Sequence, residues 1–233
     1  NNCIGYRAGY HIDGHSYNNC IGYRAGEHCR GSYNTHIGYH AGYSCGGGSG
    51  SVSIGNNAGY HSTGSHNVSI GDHAGHNTYG DAGCVNIGYY SGYGYSSSTS
   101  SYDVNIGYQA GRSINNGTGN INMGYNAGYH NYGGSYNVML GYHAGYNNRQ
   151  GSNNICIGQD AGRCMSQGYD NVYIGNGSGY HADRASTSYT CHSNVMIGYQ
   201  TGYCLYQGKY NTAIGYRSGR HIQDHSHNTL MGY

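Results

Sequence analysis

One feature limits what this chain can fold into more than any other: a motif close to Asn-Val-x-Ile-Gly-Tyr-x-Ala-Gly-Tyr recurs from end to end. Its aliphatic anchor falls at Ile4, Ile21, Ile37, Ile54, Ile70, Ile87, Ile106, Met123, Leu140, Ile157, Ile174, Ile197, Ile214 and Met231. Successive anchors are 16 or 17 residues apart, except for two steps of 19 and 23. A unit this short cannot bury an apolar stripe by itself. Repeats must therefore stack, and equal spacing lays like residue over like at a rung of about 4.8 Å.

Within each unit the residue two before the anchor (Val52, Val68, Val85, Val104, Ile121, Val138), the anchor itself and the fourth residue after it (Ala8, Ala25, Ala41, Ala58) alternate with polar positions. Period-two alternation means strand. The pattern predicts that the Val/Ile/Ala set faces the core. The residue just before the anchor (Cys3, Cys20, His36, Ser53, Ser69, Asn86, Asn105, Met139, Tyr173) is then expected to face outward. A glycine follows every anchor and a second comes four residues later, marking the bends of a coil. The expected fold is all-β: a parallel β-solenoid, a β-roll or β-helix, of about 13 coils that occupies 1–233 as a single repeat domain. The two long steps read as loops near 93–101 and 180–193.

Stacking turns repeat positions into ladders. Asparagine three residues before the anchor (Asn18, Asn34, Asn67, Asn120, Asn137, Asn154, Asn171, Asn194, Asn211) predicts amides bonding up and down the stack. Tyrosine two residues after the anchor (Tyr6, Tyr23, Tyr39, Tyr108, Tyr125, Tyr142, Tyr199, Tyr216) predicts a stacked aromatic column, and a second column holds Tyr10, Tyr43, Tyr60 and Tyr129. Alternation puts both on the Val/Ile face, while a bend at glycine turns either one outward; the pattern leaves both open.

Composition narrows the function classes. The chain has 45 Gly and 31 Tyr, no Pro, Phe or Trp, and only 8% charged residues, which fits neither ordinary globular usage nor a highly charged disordered chain. A net charge of +1 without a basic run argues against nucleic-acid binding. No apolar run approaches the roughly 20 residues of a membrane span. Nine cysteines without a CxxC pair point to an oxidising, extracellular setting on a cell or virion surface.

Cys3 with Cys20, and Cys29 with Cys45, fall in the same column on adjacent coils and are disulfide candidates; Cys164, Cys191 and Cys204 supply a third bridge. Cys84 and Cys156 have no neighbour in their columns, which points to inter-chain bonding. Of sixteen histidines, only His11 and His28 share the seventh position after the anchor on consecutive coils, and no carboxylate or cysteine set joins them. Neither a metal nor a cofactor is expected. Segments such as "HIDGHS" can be assembled into a triad on paper, but a smooth coil gives a nucleophile no desolvated pocket. The chain is not expected to be an enzyme.

Segments such as "NTHIGYHAGY", "NVMLGYHAGY" and "DVNIGYQAG" resemble the tandem Asn-Thr-x-Ile-Gly-Tyr-x-Ala-Gly repeats of bacterial surface proteins and phage tail fibres. "NVSIGDHAG" is more distantly similar to the head repeats of trimeric autotransporter adhesins. The latter resemblance implies a left-handed parallel β-roll. The first coil, "NNCIGYRAGYHIDGHSY", also resembles the thirteenth, "NTAIGYRSGRHIQDHSH", and an open solenoid end is a template for another subunit. The leading expectation is an extracellular fibre, sheath or appendage subunit that self-associates head to tail into a filament. The rival is an adhesin or tail-fibre-like module whose tyrosine rows bind a glycan, a cell-surface receptor or, less favourably because the presumed outward column is irregular, ice.

Overall fold

The computed structural model describes residues 1–12, 14–94, 100–182 and 191–233. The structure is an all-β parallel solenoid whose strands recur about every 17 residues. It comprises two compact units, Asn1–Gly119 and Asn120–Tyr233. The first contains β1 (Asn2–Ile4), β2 (Asn19–Ile21), β3 (Thr35–Ile37), β4 (Val52–Ile54), β5 (Val68–Ile70), β6 (Val85–Ile87) and β7 (Val104–Ile106). The second contains β8 (Ile121–Met123), β9 (Val138–Leu140), β10 (Ile155–Ile157), β11 (Val172–Ile174), β12 (Val195–Ile197), β13 (Thr212–Ile214) and β14 (Thr229–Met231). Within each unit consecutive strands pair in parallel, with Ile54 opposite Ile70 in the first and Val138 opposite Ile155 in the second. The loops expected near 93–101 and 180–193 fall largely outside the described residues.

The glycine after each anchor explains why every strand is three residues long. Gly22 has φ +131°, and a Cβ there would lie 2.4 Å from the carbonyl oxygen of Gly38 on the next coil, so only glycine lets the backbones stack through this bend.

The strands face the opposite way from the sequence expectation. Their first and last residues, such as Val52 and Ile54, point outward and are half-exposed, whereas the middle residues Cys20, His36, Ser53, Ser69, Asn86, Asn105, Met139, Cys156, Tyr173 and Met196 are buried. The third residue after the anchor carries the reason. It adopts a left-handed conformation (φ 54° at Arg24, 52° at His40, 55° at His143), which breaks the alternation. The alanine that follows (Ala25, Ala41, Ala144, Ala161) therefore joins the middle strand residue inside, not the anchor. A Cβ on Gly145 would lie 2.2 Å from Met139 Sδ, so the glycine after the alanine makes room for the middle strand side chain.

A further inward column, eight residues after the anchor, holds Ile12, Cys29, Cys45, Ser62, Thr78, Ile114, Asn131, Asn148, Met165, Leu205 and Ile222. The asparagine column completes the interior. Asn154 Nδ2 donates to Asn137 Oδ1 (3.1 Å) and to the Gly168 carbonyl (2.8 Å), while its own Oδ1 accepts from Asn171 N (3.0 Å) and Nδ2 (3.1 Å). The same arrangement runs through Asn120, Asn137, Asn171, Asn194, Asn211 and Asn228. In the first unit Asn18, Asn34 and Asn67 play this part, with Ser51 and Cys84 substituting at the same position.

Candidate functional site

The outward strand face carries an aliphatic column from the last strand residues and a second column from the first, which is aliphatic from Val52 to Val104 in the first unit and from Ile121 to Val195 in the second and polar at Asn2, Asn19, Thr35, Thr212 and Thr229. It is flanked by tyrosines that project where period-two alternation continues past the bend. Both are partly exposed, since stacked side chains cover only one another: Ile21 is 40% and Ile121 36% accessible. Seven strands per unit extend the last-residue column over roughly 29 Å.

The tyrosines two residues after the anchor are all outward: Tyr6, Tyr23, Tyr39, Tyr108, Tyr125, Tyr142, Tyr199 and Tyr216 are between 40 and 63% accessible. Rings on adjacent coils stack with centroids 5.3 Å apart for Tyr6–Tyr23, 5.2 Å for Tyr23–Tyr39 and Tyr125–Tyr142, and 5.1 Å for Tyr199–Tyr216. Asn56 and Asp72 interrupt this column in the first unit, Gln159 and Asn176 in the second. The other tyrosine column is half-buried and also stacked, with Tyr43–Tyr60 at 5.0 Å and Tyr180–Tyr203 at 4.9 Å. Histidines bridge the two columns: His40 lies 4.1 Å from Tyr39 and 5.2 Å from Tyr43, and His143 lies 3.9 Å from Tyr142 and 5.0 Å from Tyr146.

Arginines fill gaps in the half-buried tyrosine column. Arg163 lies over Tyr146 at 5.6 Å and Tyr180 at 5.5 Å, and Arg220 over Tyr203 at 5.4 Å. Glu27, which replaces tyrosine in that column, was not singled out by the sequence. Its buried carboxylate pairs with Arg7 (2.9 Å) and Arg24 (2.5 Å), with His28 at 3.6 Å. Burial pushes this carboxyl up, but the Arg24 hydrogen bond and the neighbouring cations outweigh it and hold the group below its ordinary range. The visible signal was a lone acid four residues from the anchor's glycine-tyrosine pair, between two arginines on adjacent coils.

Inside, Cys29 and Cys45 form a disulfide with Cα atoms 4.7 Å apart. The other expected bridges are absent. Cys3 and Cys20 stand opposite each other in β1 and β2 but are both free thiols. Burial, then the neighbouring Cys3, pushes the Cys20 thiol up to about 12. His181 occupies the coil between Cys164 and Cys204 and bridges to Cys204, while Cys191 points inward with its Sγ 3.3 Å from the Tyr173 hydroxyl. Cys84 and Cys156 are buried, which overturns the inter-chain expectation for both. Burial raises both thiols, Cys84 to about 12.

His11 and His28 stack at 4.8 Å, yet among the described residues no third ligand joins them. The histidine that does approach cysteine is His36, expected outside and found fully inside. Its Nε2 lies 3.4 Å from Cys29 Sγ and 3.7 Å from Cys45 Sγ. Desolvation pushes this imidazole down to about 4, so it is neutral at pH 7.

The irregular column that disfavoured ice is buried and so does not bear on the outward surface. Among the described residues no helix is long and apolar enough to cross a membrane. No protein-family model, curated protein or solved structure matches the chain.

Proposed function

We propose that this protein is a structural subunit of an extracellular fibre, sheath or surface appendage, and that it associates with copies of itself side by side through the outward strand face. The observation that carries the reading is the aliphatic surface left facing out in both units. The first and last strand positions hold no ionisable residue, and like side chains repeat at rung spacing, so a second copy offers a complementary, interdigitating surface. The Cys29–Cys45 disulfide supports an oxidising location, and the repeat's resemblance to surface and tail-fibre proteins is consistent with it. Head-to-tail stacking is a second contact in the same assembly. Sedimentation and electron microscopy over a concentration series test the proposal. The parent chain is expected to form bundles that the double substitution Ile54→Lys and Ile70→Lys abolishes while circular dichroism is unchanged. Bundling that persists in the double variant rules out the strand face.

The exposed, ring-stacked tyrosines, with arginines interleaved in the half-buried column beside them, favour a second reading, an adhesive module for an extended glycan, since aromatic faces are rigid, amphipathic contact groups. A glycan array in which binding falls tenfold or more on Tyr125→Ala with Tyr142→Ala supports it. Thermal hysteresis in the same preparations would redirect the reading to ice.

A further inference from the structure

We propose that Cys29, Cys45 and His36 bind a thiophilic d10 metal ion, Cu(I) in preference to Zn(II), when the Cys29–Cys45 bond is reduced. The site is assembled from the middle residue of β3 and from the eighth residue after the anchor on two adjacent coils. All three side chains are at most 4% accessible, and one ligand atom from each lies within 4.8 Å of the others.

The distances fit coordination. An ion with bonds of about 2.3 Å to sulfur and about 2.0 Å to nitrogen, at angles between tetrahedral and trigonal, holds N and S roughly 3.5–3.7 Å apart. His36 Nε2 is 3.4 and 3.7 Å from the two sulfurs, so the imidazole already stands where a shared ion would place it. Opening the disulfide lets the sulfurs separate toward the rung spacing of their coils, which is the direction a dithiolate site requires. His36 otherwise has poor compensation for burial. Its Nδ1 lies against Gly42 and has no hydrogen-bond partner, and only the sulfurs approach Nε2.

Among the described residues these three donors have no fourth beside them. Asn34 directs Nδ2 at Cys29 Sγ (3.6 Å), supporting a thiolate, but its Oδ1 is held by Ser51 N (2.8 Å). Two thiolates and one imidazole suit Cu(I), whereas structural Zn(II) sites are nearly always four-coordinate. The chemistry balances with an external dithiol. That reductant supplies two electrons and two protons to the disulfide and closes its own disulfide; the ion then displaces the two thiol protons as two metal–sulfur bonds form. The disulfide and the metal are therefore mutually exclusive states of one site.

Anaerobic titration of the reduced full chain with Cu(I), buffered by a competing chelator, tests the proposal, with Zn(II) as a parallel titration. The other thiols bind copper too, so the difference between variants is read. His36→Ser and Cys45→Ser introduce the residue that the next coil carries at each position, Ser53 and Ser62, and both are expected to stay folded. Each should lose one equivalent of Cu(I), and X-ray absorption should lose its imidazole-nitrogen contribution in His36→Ser. The oxidised chain should lack the same equivalent. Folded variants that keep the parent stoichiometry and spectrum overturn the site, and an equivalent that prefers Zn(II) over Cu(I) overturns the choice of ion.

Discussion

In the first unit the middle strand residues run Cys20, His36, Ser53, Ser69, Asn86 and Asn105; in the second they run Asn122, Met139, Cys156, Tyr173, Met196 and Ala213. The second unit thus packs an apolar cluster that includes Met139, Met165, Tyr173, Met196 and Leu205, around an asparagine ladder unbroken from Asn120 to Asn228. The first fills the same space with polar groups. Asn105 Nδ2 donates to Asn86 Oδ1 (2.9 Å), Ser91 Oγ donates to the Asn105 carbonyl (2.6 Å), and Asp81 accepts from Ser100 N (2.6 Å) and Oγ (3.1 Å). Its asparagine column is interrupted by Ser51, Cys84 and Asp103. One outward motif therefore encloses two interiors. The turns and strands are held by backbone ladders common to both, and the lumen accommodates either apolar contacts or hydrogen-bonded polar groups.

The largest expected effect breaks the apolar interior. Tyr173→Ala should cost about 3–5 kcal/mol through lost contacts and a cavity, while Ser53→Ala in the first unit should cost under about 1 kcal/mol. Hydrogen exchange under increasing denaturant, resolved by region, should show protection falling around β11 in the first variant only. Equal losses would mean that the two interiors contribute alike. Next comes the ladder. Asn154→Ala removes bonds to Asn137, Gly168 and Asn171 and should cost about 2–4 kcal/mol; Asn67→Ala removes a single bond to Cys84 N, one to the Asp81 carbonyl and a long one to Ser62 Oγ, and should cost about 1–3 kcal/mol. Chemical denaturation of the two variants ranks them, and a reversed order would show that the interruptions do not weaken the column.

The period, the strands, the glycine bends and the asparagine ladder were all legible in the sequence, because each depends on spacing alone. Which face of Val52-Ser53-Ile54 points inward was not. Alternation assigns residues to two faces but does not say which is enclosed, and hydrophobicity pointed to Val and Ile. The left-handed residue at Asn57, which shifts the parity before Ala58, has no distinctive side chain, since Arg24, His40, Gln109 and Asn126 occupy the same position. Two signals pointed inward: the column of small residues four after the anchor, alanine except at Ser91, Ser178, Thr201 and Ser218, and cysteine or aliphatic residues recurring eight positions after the anchor. With the faces inverted, His36 could not be connected to Cys29 and Cys45.

A pH series sharpens the contrast further, because the polar interior titrates. Desolvation raises the Asp81 carboxyl to about 7, with Asp103 adding to the shift, so the folded chain holds a proton that the unfolded chain releases. Stability from this group is complete below about 4 and is lost as pH rises through 7. His76, stacked between Tyr60 and Tyr93 at 4.9 Å, behaves oppositely. Burial, with help from His73 and His61, lowers it to about 4, so its contribution is present above 6.5 and lost as pH falls. The two slopes oppose each other over the same interval. Asp81→Asn should unmask the histidine, making the first unit's stability rise more steeply between pH 4.5 and 6.5, by up to about 1.4 kcal/mol per pH unit for one proton. Denaturation midpoints that are parallel in parent and variant would remove Asp81 from the account.

The smallest effect is where the comparison should vanish. Tyr108 stacks on Tyr89 at 5.2 Å and Tyr142 on Tyr125 at 5.2 Å, one pair in each unit, both on the outward face. Tyr108→Ser and Tyr142→Ser should each cost only about 0.5–1 kcal/mol, since an exposed stacked pair contributes little beyond its partial burial. If the interiors differ while the outer ladders are governed by rung spacing alone, the two costs agree. A gap of more than about 1 kcal/mol between them in denaturant titrations would show that the lumen's packing is transmitted through three-residue strands to the surface. In that case the tyrosine face of the polar unit and that of the apolar unit are energetically different surfaces despite carrying the same motif.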